Sequence, residues 1–175
     1  MNRSRHLPQI ILCALFTALT CLATVAVQLP APVVGYIHLG DCMVLCAAFL
    51  LPPVYGALAA GIGSALADVF LSFTVYAPGT LVIKALFAIV AFWLARALRR
   101  MLPPTVSCLI GGIVGGILMA LGYFIYEAWI LGYGIAAAAN IPLNLVQAGV
   151  GIALALILVA LLSKNSRIIH IQSKE

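Results

Sequence analysis

The sequence predicts an all-α integral membrane protein, a bundle of six transmembrane helices with N- and C-termini cytoplasmic. Three observations carry this. Of 175 residues, 65% are apolar and 7% are charged, against roughly half and about a quarter in soluble domains. The mean hydropathy is +1.22. The apolar residues also fall into six continuous runs, marked off by proline, glycine and charge. Such a chain lacks the polar surface of a soluble enzyme. Six spans of about 20 residues fill it as one membrane domain over residues 1–175, with no room for a soluble catalytic domain.

The first run, Leu7 to Leu29, follows Arg3 and Arg5 and stops at Pro30 and Pro32. Its length suits a span better than the short core of a cleaved signal peptide. The second, Gly40 to Leu51, is closed by Pro52 and Pro53. The third runs from Val54 to Phe73 and the fourth from Pro78 to Leu98, before Arg99 and Arg100. The fifth is Pro104 to Gly132 and the sixth Asn140 to Ser163. None alternates with the period of two that a membrane barrel requires, and helices satisfy their own backbone groups in lipid.

The second run is short. About 12 residues of helix rise about 18 Å, less than the ~30 Å hydrocarbon core. Charge placement nevertheless counts it as a crossing, lengthened by residues of the preceding loop. Six spans with the N-terminus inside put Arg3, Arg5, Arg96, Arg99, Arg100, Lys164, Arg167 and Lys174 at cytoplasmic ends, leaving out only Lys84. That is the positive-inside pattern. Three outer loops follow, Pro30 to Leu39, Ser72 to Ala77 and Leu131 to Ala139, none with a Lys or Arg.

Ionisable groups inside spans are costly, so their positions are informative. Asp68, Lys84 and Glu127 each lie about 8–9 Å from the outer ends of their helices. Asn140, Asn144 and Gln147 follow at i, i+4 and i+7, one helix face. Tyr123 and Tyr126 lie within a turn of Glu127. The polar groups gather in the outer third, and the inner two-thirds is apolar, with Gly111-Gly112 and Gly115-Gly116 on the fifth helix. A through-pore needs polar lining at every depth, so the pattern is that of an outward-facing cup with a closed floor. Glu127, Tyr123, Tyr126, Asn140, Asn144, Gln147, Lys84 and His38 are the candidate substrate contacts. Asp68 and Lys84, at matching depth on consecutive helices, are read as a structural ion pair. Asp41 is read as capping the second helix.

Cys13, Cys21, Cys42, Cys46 and Cys108 lie in apolar runs with no CxxC spacing, and are read as packing residues; no metal site is expected. No GxxxxGK[ST], HExxH or GxSxG motif is present, so no ATPase or hydrolase site and no cofactor is expected. Ala14 and Ala18 form a small-xxx-small face on the first helix, suited to close approach of another membrane helix.

Several stretches carry a family resemblance: Gly35-Tyr36-Ile37-His38-Leu39-Gly40-Asp41, Leu51-Pro52-Pro53-Val54-Tyr55-Gly56-Ala57, Gly63-Ser64-Ala65-Leu66-Ala67-Asp68, Ala77-Pro78-Gly79-Thr80-Leu81-Val82-Ile83-Lys84 and Asn140-Ile141-Pro142-Leu143-Asn144-Leu145-Val146-Gln147. In this order the chain resembles the substrate-binding S components of energy-coupling factor (ECF) vitamin transporters. The resemblance implies a six-helix subunit in a bacterial or archaeal cell membrane that captures a small vitamin or precursor. Its implied partners are a transmembrane coupling subunit and two cytosolic ABC ATPases, with no nucleic acid. It implies docking through an AxxxA face, matched by Ala14 and Ala18, and a pocket built from helices four to six and the outer loops. It also favours a shared structural role for Asp68 and Lys84.

A carboxylate beside amides and tyrosines suits a flat polar heterocycle. Pyrimidine, pyridoxine and deazaguanine types qualify first, with riboflavin behind them. The competing readings are a self-sufficient proton-coupled transporter relaying through Glu127 or Asp68, and a membrane scaffold that binds no small molecule.

Overall fold

The computed structural model describes residues 3–31 and 35–163. Pro32, Lys164, Arg167 and Lys174 lie outside the described residues. The protein is an all-α membrane bundle of six helices. They are α1 (Arg3–Ala26), α2 (Asp41–Leu50), α3 (Pro53–Phe70), α4 (Ala77–Leu98), α5 (Pro104–Ile125) and α6 (Ile141–Ser163). Five helical stretches are long and apolar enough to cross a bilayer; α2 is not.

Proline and glycine set several boundaries. Pro53 and Pro104 open α3 and α5, where the missing N–H has no intrahelical partner to lose. Leu51 precedes Pro52 and is extended, as a pre-proline residue should be, which ends α2. The turn after α3 places Ser72 in the left-handed region at φ 65°.

The short second helix is not lengthened by loop residues, contrary to expectation. The residues before it form a strand. Gln28–Pro30 (β1) pairs antiparallel with Tyr36–His38 (β2), with Gln28 opposite His38 and Pro30 opposite Tyr36. This hairpin replaces the expected first outer loop and cuts α1 back to Ala26. Gly35, at φ 94°, turns the chain into β2 in a region other residues rarely adopt.

The length of α2 reflects its place in the bundle. It is apolar all round and buried on nearly every face, with Val44, Leu45 and Ala47 wholly enclosed. It contacts α1, α3, α4 and α6 and fills the centre. Around it, α1 packs on α3, α3 on α4, α4 on α5 and α5 on α6. The longer helices present Leu22, Trp93 and Ile157 outward, where lipid covers them.

Small residues let the outer helices meet backbone to backbone. A Cβ on Gly63 would lie 2.6 Å from the Thr17 carbonyl oxygen, joining α1 and α3. One on Gly111 would lie 2.5 Å from the Ala91 carbonyl oxygen, joining α4 and α5. Ala14 and Ala18 instead remain exposed on α1.

Candidate functional site

One cavity lies where the hairpin meets the upper ends of α3 to α6. Its polar wall is drawn from all of these elements: Asp68 from α3, Thr80 from α4, Tyr123 from α5 and Asn144 and Gln147 from α6. Tyr36 and His38 of β2 close it on the hairpin side. Glu127 and Asn140 complete it from two irregular turns between α5 and α6.

Those turns have a physical cause. After Ile125 the helix widens into a π-helical turn, Tyr126–Ile130, sealed by the Leu131 N–H donating to the Tyr126 carbonyl oxygen at 3.0 Å. π-turns recur at functional sites because one extra residue re-aims the side chains. Here the turn carries Glu127, only 3% exposed. A 3₁₀ stretch, Gly134–Asn140, then brings Asn140 back to it. The Asn140 amide donates to Glu127 Oε2 at 3.0 Å, and the Tyr76 hydroxyl donates to Oε1 at 3.3 Å.

Asp68 lies across the same cavity. The Tyr36 hydroxyl donates to its Oδ1 at 2.6 Å, tying β2 to α3. Burial, with the Asp68 charge, pushes the Tyr36 phenol well above its usual range. Burial and Glu127 do the same for Tyr76. Both phenols therefore stay protonated and donate to their carboxylates. The Tyr123 hydroxyl donates to Thr80 Oγ1 at 3.2 Å. Asn144 lines the cavity one turn after Asn140.

The expected ion pair is not the one formed. Lys84 pairs with Asp41, not Asp68, and neither side chain has any exposure. A buried ammonium needs a buried anion. Asp41 opens the central helix α2 and supplies one, while the Asp68 Oδ1 is taken by Tyr36. Asp41 therefore turns into the bundle and makes no side-chain cap. Lys84 also lies off the cavity wall. Tyr126 is the second departure. Its ring packs over Gly79 and its hydroxyl donates to the Val75 carbonyl oxygen at 2.7 Å, turning it away from the cavity.

Gln147 bridges the cavity to the ion pair. Its amide nitrogen donates to Asp41 Oδ2 at 2.8 Å, and its Oε1 accepts the His38 backbone N–H at 2.8 Å. The Gly40 N–H donates to His38 Nδ1 at 3.0 Å. Burial, then the Lys84 charge, lowers the His38 imidazole to about 3, so it is neutral at physiological pH.

Six of the eight expected contacts thus line one cavity: Glu127, Tyr123, Asn140, Asn144, Gln147 and His38. Asp68, expected only as an ion-pair partner, is on its wall as well. Tyr36, Tyr76 and Thr80 were not singled out from sequence. Tyr36 sits inside the Gly35-to-Asp41 motif, which is the signal that could have found it. The free room is about 30 Å³, space for one or two waters. Small-molecule sites usually hold about 300–1,000 Å³, so a ligand of that size requires the cavity to widen.

The family model of the ECF-type riboflavin transporter S component matches residues 5–164. A Pyrococcus woesei protein, described only as an uncharacterized protein in a gap 3′ region, is 36% identical over 130 residues. That match covers 74% of this chain and 84% of the relative. A solved structure, described as the structure and mechanism of the S component of a bacterial ECF transporter, superposes with a TM-score of 0.64. It is 21% identical and covers 93% of this chain and 97% of its own. At that identity the likeness shows the fold.

Proposed function

The chain belongs to the ECF-type riboflavin transporter S-component family, and from that premise we propose that the cavity captures riboflavin or a closely related flavin. The coarser role follows from the family: a membrane-embedded substrate-binding subunit that works with ECF coupling and ATPase modules.

The observation that carries it is a pair of carboxyl groups and three side-chain amides around one cavity. The flavin ring ends in an imide N–H flanked by two carbonyls. An asparagine amide such as that of Asn144 matches that edge, accepting from the N–H and donating to a carbonyl. The ribityl chain offers hydroxyl donors for Asp68 and Glu127. Tyr36, Tyr76 and Tyr123 offer aromatic faces for the ring. Pyrimidine, pyridoxine and deazaguanine ligands are the classes to compare against it.

In this reading the subunit sits in a bacterial or archaeal cell membrane with the hairpin outside. The Arg96, Arg99 and Arg100 cluster lies at the opposite end of α4, on the cytoplasmic side. A coupling subunit docks on the Ala14 and Ala18 face, and two cytosolic ATPases supply the energy.

The test is a fluorescence-quenching titration of riboflavin against the purified chain. Saturable quenching is expected. Glu127→Gln should weaken binding by roughly 10- to 100-fold, the scale of one hydrogen bond to a charged group. No saturable quenching, or unchanged affinity in Glu127→Gln, would contradict the assignment.

A further inference from the structure

We propose that the arginine face at the end of α4 opposite the hairpin is a binding site for an anionic phospholipid headgroup. The inference is independent of the ligand that the cavity takes.

Arg96, Arg99 and Arg100 stand at i, i+3 and i+4, which is one helix face. The backbone is still helical at Arg99, so the spacing holds past the last turn of α4. All three side chains are exposed. Like charges so placed repel one another. The α4 dipole favours cations at this end, but it supplies no oxygen for their N–H donors. The sequence has four carboxyl residues. Asp41 is taken by Lys84, Asp68 and Glu127 line the cavity at the other end, and Glu175 lies outside the described residues. The counter-charge therefore comes from outside the described chain.

Two of the arginines are held in place. The Arg96 guanidinium lies 5.8 Å from the Trp93 ring and 6.0 Å from the Phe92 ring, within cation–π range. An Arg99 nitrogen donates to Cys108 Sγ at 3.6 Å, which sets it beside the start of α5. The unbonded N–H groups there add positive potential. Guanidinium groups positioned in advance lose less freedom on binding, and their planar fork matches phosphate through two parallel bonds.

Apolar surface among the cations marks the anion as a lipid. Trp93 is 53% exposed, and Met101, in the turn between α4 and α5, is 85% exposed. Tryptophan favours the level of the headgroups. A phospholipid presents phosphate to the arginines and acyl chain to Trp93 and Met101 at once.

The experiment reads Trp93 fluorescence. The chain has two tryptophans, and Trp129 lies in the π-helical turn at the other end, so Trp129→Phe leaves Trp93 as the single reporter. The full chain with this change is placed in phosphatidylcholine vesicles that carry brominated phosphatidylglycerol, whose bromines quench indole on contact. Each arginine near an anionic surface is worth about fivefold. Half-maximal quenching should therefore need at least about tenfold less brominated phosphatidylglycerol than brominated phosphatidylcholine. Arg96→Lys keeps the charge but loses the fork, and should weaken the preference by about threefold, the scale of one hydrogen bond. Arg96→Gln with Arg99→Gln and Arg100→Gln should abolish it. Replacing chloride by inorganic phosphate at constant ionic strength should leave the quenching unchanged.

Equal quenching by the two lipids overturns the proposal. So does full preference in Arg96→Lys, which would mean diffuse surface charge without a site. Displacement by inorganic phosphate overturns it too, by assigning the face to a soluble anion. If the triple variant does not insert, Arg96→Lys and Arg99→Gln decide the matter singly.

Discussion

Lys84 on α4 pairs with Asp41 at the first position of α2, and both side chains are wholly buried. The pair fixes the central helix to the bundle wall. Gln147 extends it by donating to the second Asp41 oxygen. The hairpin and the buried pair are thereby joined through Gln147.

Removing one partner of a buried ion pair strands the other. Lys84→Met or Asp41→Leu alone is expected to destabilise by about 3–5 kcal/mol, whereas the double variant recovers a large part of that loss. Recovery stays incomplete because Gln147 also loses its acceptor. Thermal unfolding in detergent, analysed as a double-mutant cycle, measures this. Strictly additive losses would mean the pair contributes no coupling.

Gln147→Leu is expected to free the hairpin. It leaves the His38 N–H and Asp41 Oδ2 without their partners, at about 1–3 kcal/mol for each buried group. Hydrogen exchange should show the His38 amide losing protection in the variant. Unchanged protection would mean the hairpin is held by other contacts.

The stability of the hairpin region is expected to depend on pH through His38. Its folded-state pKa of about 3 lies below its ordinary value. As pH falls below about 6.5, the unfolded chain takes up a proton that the folded chain does not. The stabilisation is therefore complete above that pH and declines as pH falls toward 3. The unfolding midpoint should be lower at pH 5 than at pH 7.5, and His38→Gln should reduce the difference. An equal difference in the variant would assign the effect to other groups.

Much of the architecture is readable from where the chain places its few polar residues. Charge in lipid is costly enough that Glu127, Asn140, Asn144 and Gln147 have to gather, and periodicity puts them on adjoining surfaces. The misreadings share a cause in α2. Its 12-residue apolar run is short for a span, and it is apolar all round because it is enclosed all round. Once it is central, Asp41 becomes the nearer anion for Lys84, and Asp68 is left to Tyr36. Pairings between residues 43 positions apart depend on how helices are arranged, which depth along a helix does not specify. The hairpin escaped notice because three-residue strands carry too little alternation to be seen.

The exposed Ala14 and Ala18 on α1 give a further expectation under the proposed docking. Ala14→Trp with Ala18→Trp should leave ligand affinity intact and abolish uptake by cells that carry the coupling subunit and ATPases, because bulky side chains prevent close helix approach. Full uptake by the double variant would remove this face from the interface.

Under the proposed function, the cavity beneath the hairpin holds a flavin. Native mass spectrometry of the chain, purified gently from riboflavin-fed cells, tests it most directly. An added mass equal to riboflavin is expected, absent from Glu127→Gln. A chain that carries no flavin, and takes none up when riboflavin is added, would contradict it.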